Sequence, residues 1–307
     1  NSPGNDMRFY VEKCEAMRNF ANKIWNASRF VMMNLTIDSV ALPEKLELED
    51  KWVLSRLNTL VKEVTDNMEA YELGVASAKV YDFIWDTYCD WYIELTKSRM
   101  QGEDGAAKLA AQNVLCYVLI TMLKLLHPFM PFITEEIYQA LPHDPDAPFL
   151  MTSDWPVYDE KFAFKAEESA METVMDAIRA IRARRAEMNV PPSRKVKLII
   201  AAADQAPFAA GTPFFLRLAS ASEVELVEQA PDSQGMVSVV TAAARLFMPL
   251  SELVDVAEEL KRIAKEREKA QKGLEMVEKK LANAAFVAKA PAAVVDAERE
   301  KVEKFRA

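Results

Sequence analysis

His127 and His143 are the only imidazoles in this 307-residue chain, so a nucleophile activated by a histidine base must lie beside one of them. His127 falls in Leu126-His127-Pro128-Phe129-Met130-Pro131-Phe132, at the end of an apolar helix, where an imidazole capping the last carbonyls is the simpler reading. His143 lies in a proline-rich loop. Glu135 and Glu136 follow Thr134 in the first turn of the next helix, where carboxylates complement the helix dipole without acid–base duty. Three scattered cysteines, Cys14, Cys89 and Cys116, give neither a zinc spacing nor a disulfide framework and read as the reduced thiols of a cytoplasmic protein. The 7 glycines form no phosphate-cradling loop. No active site emerges, and what remains is surface that binds.

Along a helix from about 12 to 35, Phe20, Ile24, Ala27, Val31 and Leu35 form an apolar stripe, and Arg18, Asn22, Trp25, Asn26 and Arg29 fall opposite it. Guanidinium and indole planes stack on unpaired bases, and amides read base edges. The plainer alternative packs Trp25 on a neighbouring helix and pairs the arginines with carboxylates. A second patch holds Arg179, Arg182, Arg184, Arg185, Arg194, Lys195 and Lys197 against Glu187 alone, a phosphate footprint inside a chain of net charge -9. Ile178 and Ile181 place Arg182 near the apolar side, so that arginine suits a structural ion pair. Residues 258 to 280 add Lys261, Arg262, Lys265, Arg267, Lys269, Lys272, Lys279 and Lys280 among glutamates, a pattern shared by nucleic-acid arms and ordinary solvated coiled coils.

The elements that carry these residues are mainly helical. Residues 8 to 140 show 3.6-period apolar spacing, broken at Pro43, near Gly74, at Gly102 to Gly105 and at Pro128 to Pro131, which predicts a bundle of four to six helices. No apolar run reaches the roughly 18 residues of a bilayer span, and no signal peptide opens the chain. Pro142 to Pro156 reads as a strap over the bundle. A helix from about 167 to 188 follows, then strands at 196–200, 224–227, 236–241 and 244–248 with a helix near 206 to 218, a small α+β module. From Leu253 through Val256, Leu260, Ile263, Arg267, Ala270, Leu274, Val277, Leu281 and Ala284 spacings of three and four alternate, a heptad seam. Pro291 then predicts an antiparallel coiled-coil hairpin turning near 286 to 291, the alternative being one continuous helix in an intermolecular coiled coil. The expected domains are residues 1–165, 166–250 and 251–307.

Several strings carry a resemblance. Met17-Arg18-Asn19-Phe20-Ala21-Asn22-Lys23-Ile24-Trp25-Asn26-Ala27-Ser28-Arg29-Phe30, Tyr81-Asp82-Phe83-Ile84-Trp85-Asp86 and the 126–136 string around His127 resemble the anticodon-binding helical domain of class I aminoacyl-tRNA synthetases. The first two, with Ile181-Arg182-Ala183-Arg184-Arg185-Ala186-Glu187-Met188-Asn189-Val190-Pro191-Pro192 and the terminal hairpin, look like the bacterial valyl-tRNA synthetase family across the whole chain. Neither the His-Ile-Gly-His nor the Lys-Met-Ser-Lys-Ser signature is present, and Gly4-Asn5-Asp6-Met7-Arg8 resembles the junction after a catalytic domain. The resemblance therefore implies a non-catalytic C-terminal portion; a monomer away from membranes is expected, with the exposed coiled-coil seam open to further contacts. Its partners would be valine tRNA and the catalytic and editing domains of the same polypeptide. No cofactor is implied here, ATP and magnesium belonging to the full-length enzyme. It also implies anticodon contacts by Arg18, Asn22, Trp25, Asn26 and Arg29, with the hairpin bracing the outer corner of the tRNA where D and T loops meet. An isoleucyl-type fragment, which would bring a cysteine-rich zinc segment, and a non-catalytic RNA-binding or coiled-coil adaptor are the alternatives.

Overall fold

The computed structural model describes residues 10–254 and 256–282. Five helical rods make the bundle: α1 (Val11–Asn34), α2 (Leu48–Glu69), a continuous rod of α3 (Leu73–Asp82), a π-helical stretch (Phe83–Tyr92) and α4 (Ile93–Gln101), then α5 (Gly105–Leu126) and α6 (Pro131–Gln139). Helix breaks fall at the predicted prolines and glycines. Asp104 caps α5 by accepting from the amides of Ala106 and Ala107, and Glu47 and Asp50 form a capping box on α2. Helix α5 has the length and apolar composition of a membrane span, which the sequence reading missed, but most of it is buried as the central rod of the bundle.

Ion pairs fix the directions of the rods. Lys79 meets Glu63 at 2.8 Å near one end of α2, while Arg99 grips Asp50 near the other with donors at 2.8 and 2.5 Å, so the α3–α4 rod runs antiparallel to α2. Tyr92 donates to Asp50 at 2.7 Å and Glu49 lies 2.8 Å from Arg99, completing a buried polar cluster. Burial lifts the Glu49 carboxyl to about 7 against the opposing pull of Arg99.

The 142–156 segment does close over the bundle. Trp155 donates from its indole to Thr65 at 2.9 Å, Tyr138 donates to the Ala147 carbonyl at 2.9 Å, and Asn58 exchanges two hydrogen bonds with Asp159. His127 does not cap carbonyls. Its Nδ1 lies 2.7 Å from the hydroxyl of Thr134, which itself donates to Met130 at 2.8 Å, so His127 is the donor and ties the two helices flanking the turn.

Helix α7 (Lys165–Glu187) leads into β1 (Val196–Ala201), α8 (Ala206–Ala210), α9 (Thr212–Leu218), β2 (Ala221–Val227), β3 (Met236–Val240), β4 (Arg245–Pro249) and α10 (Leu250–Leu253). The sheet has order β2-β1-β4-β3, with β1 and β2 parallel and the other pairs antiparallel. One helix was expected over 206–218, and the structure splits it at Gly211, where a Cβ would lie 2.7 Å from Val174 on α7. The alternation along β1 sends Leu198 and Ile200 into the main core and Ile199 and Ala201 into a small cluster with Phe247. The division expected at 165/166 falls where α7 begins, and α7 serves both neighbours. Lys51 and Ser55 of α2 hold Glu167 and Glu168 at 2.8 and 2.7 Å, and Arg182 donates to Leu218 of α9 at 2.7 Å.

Helix α11 (Val256–Ala282) carries the heptad seam, with Val277 buried among exposed Lys272, Met276 and Lys280. The expected turn at 286–291 and return helix at 292–307 lie outside the described residues, as do the side chains of Val256, Leu260 and Ile263.

Candidate nucleic-acid interface

Helix α1 turns Phe20, Ile24, Ser28 and Val31 into the bundle, which fixes what it turns outward. Arg18, Asn22, Trp25, Asn26 and Arg29 are all exposed on one face, Trp25 at 42%. At that exposure Trp25 lies outside the buried core of the bundle. Arg18 and Arg29 have no ion pair among the described residues, so their guanidinium donors face water. The face therefore offers planar stacking surface and unspent donors side by side, the combination that holds unpaired bases.

Sequence reasoning missed what anchors this face. Lys23 reaches across to the π-helical stretch, where its ammonium sits 2.6 Å from Asp90 and 3.7 Å from the centre of the Trp85 ring. Trp85 stacks on Tyr81 at 5.7 Å and Tyr81 meets Phe20 at a tilt at 4.4 Å, an aromatic ladder that sets the rotation of α1. A π-helix projects its side chains at intervals a 3.6-period scan does not register, and that hid the partner.

The 179–197 cluster is not one footprint. Arg185 is buried, 6% exposed, and donates to the carbonyls of Pro191 and Arg194 at 3.3 and 2.5 Å; burial also lowers its pKa. It sits seven residues after Ile178 and four after Ile181, on the inward stripe of α7, so Arg185 is the buried structural arginine, while Arg182 is exposed and holds the Leu218 carbonyl rather than a carboxylate. Arg179 pairs with Asp176 at 2.7 Å and lies 5.0 Å over Trp91. Arg184 pairs with Glu187 at 2.9 Å, and Arg194 donates to Leu253 at 2.9 Å. Lys197 is held 2.9 Å from Glu225, which keeps its ammonium charged. Lys195 is exposed, with no ion pair among the described residues. On α11, Lys272 is exposed and pairs with Glu268 at 2.7 Å, while the side chains of Lys261, Arg262, Lys265 and Lys269 lie outside the described residues.

The sequence that builds these rods has known relatives. Residues 50–200 match the family model described as the anticodon-binding domain of tRNA ligase, which sets the class. Residues 255–307 match the model described as the valyl tRNA synthetase tRNA binding arm. Over its whole length the chain is 52% identical to valine–tRNA ligase of Clostridium acetobutylicum and 50% identical to that of Clostridium perfringens. It is 43% identical to the valine–tRNA ligase of Geobacillus stearothermophilus over 99% of its length. The chain spans 35% of the length of each of these relatives. It belongs to the valyl-tRNA synthetase family, as the C-terminal part of such a polypeptide.

Proposed function

We propose that this chain is the tRNA-holding portion of a ligase that joins valine to its tRNA. The bundle faces the anticodon through Arg18, Asn22, Trp25, Asn26 and Arg29, and the arm from residue 255 braces the outer corner of the tRNA. The observation that carries the reading is the exposed face of α1, where an indole and two guanidinium groups stand without internal partners among the described residues. Two family models in the matching order on one chain support it.

On this reading the chain performs no amino-acid activation. ATP, magnesium and valine are handled by the rest of the longer polypeptide, and the chain itself works as a monomer in the cytoplasm, where Cys14, Cys89 and Cys116 stay reduced. Phosphate contacts come from Arg179, Arg184, Arg194, Lys195 and the lysines of the arm, leaving Arg185 to the core. Titrating a valine tRNA into the chain at two salt concentrations tests the reading. Affinity falls by about 10² to 10⁴ between 50 and 200 mM salt when several phosphates are neutralised. No binding at the lower salt, or a flat response, contradicts it.

A further inference from the structure

The 142–156 strap does not lie flat on the bundle. It is pinned where Tyr138 donates to the Ala147 carbonyl, where Lys124 donates to the Asp154 carbonyl at 3.1 Å, and where Trp155 donates to Thr65. Beside those pins it arches over a cavity of about 580 Å³, inside the range of about 300 to 1,000 Å³ that small-molecule sites occupy. Pro142, Pro145 and Pro156 line the cavity and stiffen the arch, since each fixes its own backbone torsion. The floor is apolar. Leu54, Leu57 and Val61 of α2, all buried, line it beside Ile120 of α5.

Both signs of charge line the same cavity. Lys124 spends one of its three donors on the Asp154 carbonyl. Burial lowers its pKa, while the carboxylates of Asp154 and Asp144 pull the other way. Neither carboxylate closes on it as an ion pair. Among the described residues the side chain of Asp154 accepts no hydrogen bond, and that of Asp144 accepts only from the amide of Asp146. An ammonium and two carboxylates therefore feel one another across the cavity without touching. Tyr117, Trp155 and Phe162 add aromatic walls, the rings of Tyr117 and Phe162 meeting at a tilt at 6.2 Å.

We propose that the cavity under the strap binds a free α-amino acid with an aromatic side chain. A zwitterion supplies what the separated charges lack: its carboxylate takes the remaining donors of Lys124, and its ammonium is taken by the carboxylates of Asp144 and Asp154. Its ring lies on the apolar floor between the aromatic walls. A ligand of single charge leaves one sign unanswered, and the three-carbon side chain of valine leaves most of the space empty. Bound there, the ligand joins the strap to α5. None of Arg18, Asn22, Trp25, Asn26 and Arg29 lines the cavity, so the inference is independent of tRNA binding.

Isothermal titration of the chain with L-tryptophan tests it. One molecule binds per chain, and N-acetyl-L-tryptophan and L-tryptophan amide, each lacking one of the two charges, bind about tenfold more weakly, as does L-valine. Lys124→Met weakens L-tryptophan by the same order, and so does the double substitution Asp144→Asn with Asp154→Asn. Both aspartates are exposed, so the double variant keeps the wild-type melting midpoint. No saturable binding of L-tryptophan below about 10 mM overturns the inference. So does equal affinity for the charge-deleted forms or for L-valine, which makes the cavity a plain apolar cleft. Undiminished binding by the folded double variant overturns it too, since the ligand then sits elsewhere. Tryptophan binding without tRNA binding counts against the proposed function alone.

Discussion

Arg185 donates from its guanidinium to the backbone carbonyl of Arg194, so one arginine of the basic cluster is a strut for the loop that presents another. Its neighbour Arg184 is exposed, and among the described residues its guanidinium pairs with Glu187. Arg185→Ala leaves two carbonyls short of a donor and opens a cavity at the end of α7, costing about 2 to 4 kcal/mol, whereas Arg184→Ala costs less than about 0.5 kcal/mol. Chemical denaturation of the two variants checks this, and comparable losses would show that Arg185 is not the strut.

Glu49 gives the fold a pH dependence. Its carboxyl titrates at about 7 in the folded chain against 4.5 as an ordinary glutamate, because burial outweighs Arg99. Between those values the native state keeps a proton the unfolded chain has released, so stability falls as pH rises, by about 3 kcal/mol in full. Urea midpoints at about pH 5 and pH 8 should differ in that direction, and Glu49→Gln, which retains an oxygen for Arg99, should flatten the difference.

Gly211 is a contact residue more than a flexible one. A Cβ there would stand 2.7 and 2.8 Å from the two methyl carbons of Val174, so Gly211→Ala forces α7 away from the α8–α9 corner. The expected loss is about 1 to 3 kcal/mol, relieved by adding Val174→Ala in the same chain. Thermal melts of the single and double variants decide it.

Much of the fold was legible in the sequence because its signals are local. Pro43, Gly102 and Pro131 break helices wherever they occur, and the stripe from Phe20 to Val31 names both faces of α1 from spacing alone. What stayed hidden depends on tertiary contact. The split at Gly211 exists because Val174 lies against it, the inward turn of Arg185 needs acceptors at Pro191 and Arg194, and the Lys23–Asp90 pair spans a π-helical stretch whose periodicity a helix scan cannot see. The α1 face was legible as a list of residue types. That those side chains are exposed and, among the described residues, without ion pairs came from the structure.

The most direct measurement pits a valine tRNA against the same tRNA carrying a transplanted anticodon, with the wild-type chain and with Arg18→Ala and Trp25→Ala. Both side chains are exposed, so the variants keep the wild-type melting midpoint. The wild-type chain should prefer the native anticodon, and each substitution should remove about 1 to 3 kcal/mol of that preference while leaving the salt dependence in place. Equal affinity of the wild-type chain for both tRNAs, or a preference that survives both substitutions, would contradict the assignment of anticodon recognition to this face.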